Sequence, residues 1–261
     1  MQGAKYSQSV LDNTFKLLKN HLDSGRTVLF SGTPCQVAGL KTFLRRDYNK
    51  LICLDFVCHG VPSPMVWEKY LRYRAHIDNN ETFPQHINMR NKETGWSRYS
   101  YSVEFFYSDN NRYICKNNDD PFMNLFVNDY ILRKSCSVCN FKGYSRDSDI
   151  TLGDFWGIWD IDPEMDDNKG TSVVLIHSKK GEKLFKAILK NIRCKKVTLE
   201  QTSMGNPSML SSSVHKRNRD QILNEISQEG FHTVATMFKS EKSGENKLRR
   251  LFRNLLDKLG N

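Results

Sequence analysis

The first third of the chain alternates amphipathic helices with short apolar strands. Apolar side chains recur with a period near 3.6 residues in residues 8–24, 36–46 and 65–76, which predicts three helices. Residues 27–31 and 51–57 are predicted to be strands. The second is almost continuously apolar, as expected for a sheet covered on both faces. The order helix–strand–helix–strand–helix therefore predicts a parallel α/β unit.

The sequence changes character in its middle third. Residues 99–107 alternate and are rich in aromatic side chains, and a turn then leads into residues 112–116, which predicts a β-hairpin. The remaining elements are predicted as strands at 149–153 and 171–177 and helices at 121–132, 181–191, 213–228 and 244–259.

The predicted fold class is therefore α/β. We expect a parallel or mixed sheet flanked by helices, with an inserted β-hairpin and a helical C-terminal tail. We place a domain boundary near residue 200, with an α/β domain over residues 1–200 and a helical extension over residues 201–261.

Composition narrows the class of protein. Of the 261 residues, 38% are hydrophobic and 26% are charged, as in soluble globular proteins. The start at Met1 lacks the apolar stretch of a signal peptide, and no apolar run is long enough to span a membrane. The sequence thus predicts a cytoplasmic protein without a membrane span. In a reducing compartment, cysteines are expected to be metal ligands, reactive thiolates or buried thiols.

The chain is basic, with 39 Lys and Arg against 29 Asp and Glu and a formal net charge of +10. Part of the excess lies between Lys239 and Lys258. One explanation for the positive charge is an ordinary solvated surface. The other is that the chain binds an anionic ligand, an acidic partner or a phosphate-bearing cofactor. There is no compact basic and aromatic stripe and no nucleic-acid motif, so no nucleic-acid partner is predicted.

Four of the seven cysteines lie in turns rich in Gly, Pro or Ser. Cys136 and Cys139 form a C-x-x-C pair, whereas Cys35 and Cys58 are solitary. The other three occupy apolar or strand-like runs and are predicted not to be ligands: Cys53, Cys115 and Cys194.

The solitary cysteines follow neighbouring strands of the predicted unit. Cys35 comes after the first strand and Cys58 ends the second. Loops that leave the carboxyl ends of parallel strands lie at one edge of a sheet, so these thiols are expected to converge. Four thiolates suit a 4Fe–4S cluster and equally a structural zinc ion. One C-x-x-C with two solitary cysteines favours the cluster, since zinc sites usually show two such pairs.

Two turns at this predicted edge carry other candidate groups. The turn Gly32-Thr33-Pro34 opens a helix, and helix N-termini bind phosphate and other anions. His59 stands before Gly60, where an imidazole can act as a ligand, a proton donor or a hydrogen-bonding turn residue. The aromatic run at 154–157 is interpreted as core packing.

Five segments in the same order resemble the coenzyme F-420 hydrogenase/dehydrogenase beta-subunit family. They are SGTPCQVAGL at 31–40, DFVCHGVPS at 55–63, NKETGW at 91–96, SCSVC at 135–139 and SDITLGDFWG at 148–157. The resemblance extends from about Lys5 to about residue 190. It implies an oxidoreductase that passes electrons between FAD and a 4Fe–4S cluster. In archaea the partner of such proteins is the deazaflavin coenzyme F-420, and many bacterial relatives occur among polysaccharide-biosynthesis proteins.

The resemblance also implies roles for individual residues. Carried over position by position, the cluster ligands are Cys35, Cys58, Cys136 and Cys139. Independently of the resemblance, His59 is predicted to be catalytic, because its turn places an imidazole where it can protonate a reduced flavin or its acceptor. The flavin contacts are Gly32, Thr33, Pro34, Gln36, His59 and Gly60.

Partners follow from the same resemblance. Full family members usually begin with a ferredoxin-like module and a Ser/Gly-rich segment, and neither is recognisable in this sequence. The expected partner is therefore such a module or a separate electron-transfer protein, and FAD binding by this chain alone is expected to be weak. The alternative function is a non-catalytic accessory domain, stabilised by zinc or a cluster, that assists a carbohydrate-modifying protein.

Overall fold

The computed structural model describes residues 6–96 and 100–239. Within these ranges the chain forms two β-sheets with helices packed against them. In chain order the helices and strands are α1 (Thr14–Asp23), β1 (Val28–Ser31), α2 (Pro34–Leu44), β2 (Leu51–Phe56), α3 (Pro64–Asn79), β3 (His86–Asn91), β4 (Ser102–Phe106), β5 (Arg112–Lys116), α4 (Pro121–Val127), β6 (Ile150–Asp154), α5 (Ile158–Ile161), β7 (Ser172–Ile176), α6 (Lys179–Ile188), α7 (Leu199–Met204), α8 (Arg219–Glu229) and α9 (His232–Lys239).

The first sheet has four strands in the order β1-β2-β6-β7. The strands β1, β2 and β6 are parallel, and β7 is antiparallel to β6. This confirms the predicted mixed α/β sheet. Ser31 pairs with Leu54, so the turns that follow β1 and β2 leave the same edge of the sheet.

The predicted hairpin belongs to a second sheet of three antiparallel strands, β3-β4-β5. The sequence pattern does not predict β3, because His86–Asn91 is mostly polar and shows no apolar alternation. Helices α3, α4, α8 and α9 and this sheet contribute to a large aromatic core around Tyr70, Phe105, Phe122 and Phe231.

A separate core lies between the first sheet and the two N-terminal helices. Phe30 and Cys53 of the strands pack with Leu18 of α1 and with Val37 and Leu40 of α2. Helix α2 begins with Pro34 at its first position, and Gln36 accepts a hydrogen bond from the Thr33 N–H at 2.9 Å. These two contacts define the turn that carries Cys35.

The other face of the first sheet is only partly covered by the described residues. Leu29 is 60% exposed, and Phe56, Leu152 and Ile176 are 40%, 41% and 39% exposed. The pairings of β1, β2, β6 and β7 place all four side chains on one face. The sequence predicted that both faces of the sheet are covered, and the described residues cover only one of them fully. A continuous apolar run predicts burial but does not identify which element packs on each face.

Several predicted helix boundaries were wrong for local reasons. The helix predicted at 8–24 begins at Thr14, after Asp12 with a positive φ of 37°. The helix predicted at 121–132 ends at Val127, because Asp129 has a left-handed φ of 66°. The helix predicted at 244–259 lies outside the described residues. In the described part, no helix is long and apolar enough to span a membrane.

Candidate functional site

The four predicted ligand cysteines lie in one region of the structure, which we call the four-thiol site (Cys35, Cys58, Cys136, Cys139). The pKa of Cys58 is raised to about 12, first by burial and then by the neighbouring thiolates of Cys136, Cys35 and Cys139. Such an effect requires short separations, because charge interactions weaken with distance. Three chain segments that are far apart in the sequence therefore converge on Cys58.

The segment before the C-x-x-C is joined directly to the turn that follows β2. Pro62 forms an isolated antiparallel bridge with Leu132. Arg133 donates its N–H to the Val61 carbonyl at 2.8 Å, and Ser63 donates to the Ile131 carbonyl at 2.8 Å. This short ladder carries Cys136 to Cys58.

Backbone N–H groups and small side chains surround the thiols of this pair. The N–H of Val61 donates to the Cys136 sulfur at 3.3 Å, and the N–H of Cys139 donates to the Ser212 hydroxyl at 3.1 Å. Gly60 allows the close approach: an added Cβ would lie 2.8 Å from Leu132 Cδ1 and 3.5 Å from Cys136 Cβ. A larger residue at Gly60 would require the buried Leu132 side chain to move.

Cys35 reaches the site from the first turn of α2. Its sulfur lies 3.1 Å from the Thr33 hydroxyl, within hydrogen-bond distance. The turn is tight, because a Cβ at Gly32 would lie 3.0 Å from the Gln36 side-chain oxygen and 3.1 Å from the Phe30 ring. The predicted flavin-contact residues of this turn thus lie beside Cys35.

Lys142 is a site residue that the sequence pattern does not predict. Its ammonium donates to the carbonyl oxygens of Cys58 and Ser208, at 2.9 Å for Ser208, and lies 3.5 Å from that of His59. Burial lowers the pKa of Lys142, while the neighbouring Cys58 and Cys139 thiolates oppose that change. A lone lysine three residues after a C-x-x-C carries no sequence signal of such a role.

Both ring nitrogens of His59 have a close polar neighbour. Nδ1 lies 3.2 Å from the Ser208 hydroxyl, and Nε2 lies 2.8 Å from Oδ1 of Asp129. The angle at this second contact does not suit a hydrogen bond, so Nε2 and Oδ1 are both buried without a hydrogen-bond partner in the described part of the chain. The ring also packs edge-on against Phe126 at 5.2 Å between centroids. The imidazole is therefore positioned, and its catalytic role stays a prediction.

Residues beyond 200 complete the site, although the sequence pattern there is weak. The Ser213 hydroxyl donates to the His59 carbonyl at 2.6 Å, and Ser208 and Ser212 contact His59 and Cys139. Isolated serines in a polar segment give no sequence signal. The domain boundary near residue 200 stays a prediction.

A single metal ion and a cluster require different spacings between their sulfur ligands. Around one zinc ion with Zn–S bonds of about 2.3 Å, tetrahedral thiolates lie about 3.8 Å apart, whereas the thiolates of a 4Fe–4S cluster lie roughly 6–7 Å apart. In the ranges 6–96 and 100–239, no group of three or more His, Cys, Asp or Glu is arranged to hold a single ion. Which of these groups the four-thiol site holds stays a prediction.

The remaining cysteines have different surroundings. Cys53 is buried in the core beneath α2, and burial together with the Asp149 carboxylate raises its pKa to about 11. Cys115 lies on β5 and Cys194 is exposed beyond α6. That none of the three is a ligand stays a prediction.

Two other motifs of the sequence meet where the chain leaves β6. Trp96 and Trp156 stack with ring centroids 5.3 Å apart, and the Arg90 guanidinium lies 4.2 Å over the Trp96 ring. Gly170 fits against Trp96, where a Cβ would lie 2.1 Å from the indole nitrogen. These aromatic side chains pack on one another.

Comparison with known protein families agrees with these observations. The profile of the C-terminal region of the coenzyme F420 hydrogenase/dehydrogenase beta subunit matches residues 25–202. A comparison with curated proteins gives no match. The family is one of oxidoreductase subunits that work in electron-transfer complexes. By this match over more than half of its length, the chain belongs to the coenzyme F420 hydrogenase/dehydrogenase beta-subunit family.

Proposed function

We propose that this protein binds one 4Fe–4S cluster at the four-thiol site and exchanges electrons between that cluster and FAD. The observation that supports the proposal is the convergence of four thiols from three chain segments, in which the other three thiols each affect the pKa of Cys58. When bound, the cluster stores one electron at a time, and FAD links such steps to two-electron chemistry.

The chain's own residues hold and tune the ligands. The Val61 N–H and the Thr33 hydroxyl contact the sulfurs of Cys136 and Cys35, which stabilises charge on those sulfurs. The Lys142 ammonium places a positive charge among them. Cys58 is only half-buried, so its side chain keeps some contact with solvent.

The flavin edge is formed by the turns after β1 and β2. The positive end of the α2 dipole at this turn suits the diphosphate of FAD, whereas the Thr33 and Gln36 N–H groups donate hydrogen bonds within the turn itself. On the adjacent turn, the His59 ring contacts the Ser208 hydroxyl through Nδ1 and lies beside the Asp129 carboxylate. We assign His59 to proton delivery and the Gly32–Gln36 turn to flavin binding.

The cluster is tested by anaerobic purification followed by absorption spectroscopy and analysis of iron, sulfide and zinc. The proposal expects a brown protein with iron and sulfide, and loss of both in Cys136→Ser. Cys194→Ser is the matched control, because it removes an exposed thiol outside the site. A colourless protein with stoichiometric zinc would support the accessory-domain alternative instead.

FAD binding is tested by titration and quenching of flavin fluorescence. We expect weak binding by the isolated chain and further weakening by Thr33→Val and His59→Ala. A protein extended by an upstream segment, or an added partner, is expected to raise the affinity. Tight binding that persists in the double variant would place the flavin elsewhere.

The wider context is also part of the proposal. An electron-transfer protein or a ferredoxin-like module is the expected partner, in the cytoplasm, and a role in polysaccharide biosynthesis is the expected setting. Pull-down with the four-thiol site intact and with Cys136→Ser separates partners that require the cluster from those that do not.

A further inference from the structure

An open groove lies beside the C-x-x-C segment. It has a volume of about 380 Å³ and is bordered by Ser137 and Val138, which separate the two cysteines of the pair, and by residues 215–217. The two walls are joined, because the His215 ring lies 3.0 Å from the Arg133 carbonyl and Ser212 contacts the Cys139 backbone. The groove therefore lies between two connected segments, next to the C-x-x-C pair.

The groove carries excess positive charge. Lys134, Lys216, Arg217 and Arg219 line it, against one carboxylate, Asp220. Asp220 is already paired with Lys134 at 3.3 Å and with Arg219. Neither Lys216 nor Arg217 has an ion pair with any described residue. Two exposed cations thus remain without a counter-charge.

Apolar side chains project next to these cations. Val138 is 74% exposed and Val214, the chain neighbour of His215, is 76% exposed. Exposed apolar side chains bordered by uncompensated charge are typical of surfaces that bind another protein. A pure small-anion site would instead surround its ligand with N–H donors and would not present two valines to solvent.

We propose that this groove is the docking surface for an acidic electron-transfer protein. The proposal rests on the proposed function, since Val138 separates two of the suggested cluster ligands and a docked partner would lie beside them. Uncompensated Lys216 and Arg217 complement a negatively charged partner and accelerate its encounter, and the valines give the contact its apolar centre. Such contacts are small, transient and sensitive to salt.

The test compares two double variants with the same change of charge. Lys216→Glu with Arg217→Glu alters the groove. Lys183→Glu with Lys190→Glu alters α6 and the turn after it, and α6 starts where Gly181 meets Asp149, at the opposite end of the sheet from Cys58. An acidic two-cluster ferredoxin is the probe, and its affinity is measured at low and at raised ionic strength. Thermal unfolding confirms that each variant is folded.

We expect the groove variant to bind the ferredoxin roughly tenfold more weakly at low salt, and the α6 variant to stay within about twofold of the wild type. Equal affinity in all three proteins, or an equal loss in both variants, would overturn the proposal. Inorganic pyrophosphate is the second probe. Pyrophosphate binding that the groove variant loses while ferredoxin affinity stays unchanged would mark a small-anion site instead.

Iron content is measured on the same samples, so the two proposals fail in different ways. An iron-free wild-type protein would contradict the proposed function. The ratio of the ferredoxin affinities of the two variants decides the docking surface whatever the iron content.

Discussion

Lys142 places a positive charge inside the four-thiol site. Its ammonium is held by the backbone carbonyls of Cys58 and Ser208, so it has a defined position and is not a mobile surface group. It lowers the pKa of Cys58 against the effect of burial and thereby favours the thiolate. The same charge stabilises any more negative state of a group bound there.

Replacement of this lysine should therefore weaken iron binding. We expect Lys142→Met to lower the affinity for iron roughly 10–100-fold and to shift the midpoint potential of the remaining cluster downward, because a counter-charge to the reduced state is lost. Lys142→Arg should retain more iron. Iron analysis and a potential titration followed by electron paramagnetic resonance measure both effects. Unchanged iron and potential in Lys142→Met would show that the ammonium is remote from the cluster.

A second prediction for a single residue concerns Gly60. In Gly60→Ala, the new methyl group would lie 2.8 Å from the buried Leu132 side chain, so Leu132 has to move within a packed core beside Cys136. We expect a loss of about 1–3 kcal/mol in the free energy of unfolding, together with lower iron content.

The matched control for that variant is Gly39→Ala in α2. Its added Cβ meets only Phe15, at an ordinary 3.8 Å, and alanine favours a helix interior by roughly 0.5–1 kcal/mol. In urea denaturation, Gly60→Ala should therefore lower the free energy of unfolding, whereas Gly39→Ala should raise it. A Gly60→Ala protein as stable as the wild type would contradict the packing described here.

Among the secondary-structure elements, α4 depends on a buried carboxylate. Asp120 caps the helix by accepting the Met123 N–H at 2.9 Å, and it also accepts the hydroxyls of Tyr70 at 2.5 Å and Tyr113 at 2.9 Å. Burial raises the pKa of Asp120 above its usual 3.8, although these hydrogen bonds lower it in part. Ionisation of the Asp120 carboxyl is therefore less favourable in the folded state than in the unfolded state.

The pH dependence of stability follows from this shift. A carboxyl whose folded pKa is raised stabilises the fold fully below the unfolded pKa of about 3.8 and loses that contribution as the pH rises through the folded pKa. Asp120→Asn keeps a good cap without a titrating group. We expect the stability of the wild type relative to Asp120→Asn to fall as the pH increases above 3.8. Urea denaturation over a pH series measures the difference in free energy of unfolding between the two proteins. If the wild type became more stable relative to Asp120→Asn as the pH rises, the pKa of Asp120 would not be raised in the folded state.

Asp120→Ala tests the cap itself. It removes the acceptor for Met123 N–H and leaves two buried tyrosine hydroxyls without their partner. We expect a loss of at least about 1–2 kcal/mol at neutral pH, well beyond the effect of asparagine. Equal stability of the two variants would show that the hydrogen bonds contribute little.

For the whole molecule, the four-thiol site joins regions that have separate apolar cores. Cys35 lies on α2, which packs in the core of the first sheet, and Cys136 packs against the aromatic core of the second. A group bound by both cysteines would couple the two cores. Binding to the folded state alone stabilises it by about 2.7 kcal/mol at a ligand concentration of 100 Kd.

Removal of iron should accordingly lower thermal stability. We expect anaerobic chelation to lower the Tm of the wild type by roughly 5–10 °C, from that free energy and the usual sensitivity of domains of this size. The Tm of Cys136→Ser, which lacks one of the proposed ligands, should not change on chelation. Scanning calorimetry before and after chelation measures the change in Tm. An equal change in both proteins would show that the chelator itself, and not the removal of iron, lowers the Tm.

The sequence predicted those parts of the site whose position follows from the order of helices and strands. Cys35 and Cys58 follow parallel strands, so their common edge was predictable from strand order alone. The approach of Cys136 depends instead on a bridge between Pro62 and Leu132, a long-range backbone contact that no local pattern encodes. Lys142 and the serines beyond residue 200 were missed for the same reason, since hydrogen bonds to backbone carbonyls require no particular motif.

The wide spacing of these segments also determines the order in which the site is assembled during synthesis. Cys35 and Cys58 leave the ribosome early, the C-x-x-C follows, and Ser213, which contacts the His59 carbonyl, comes much later. At about 5–20 residues per second, the interval between Cys35 and Ser213 is roughly 10–40 s. Throughout that interval the early thiols are exposed to oxidants without their final neighbours. Loading with iron is thus expected to be a post-translational event, and one sensitive to oxygen during expression.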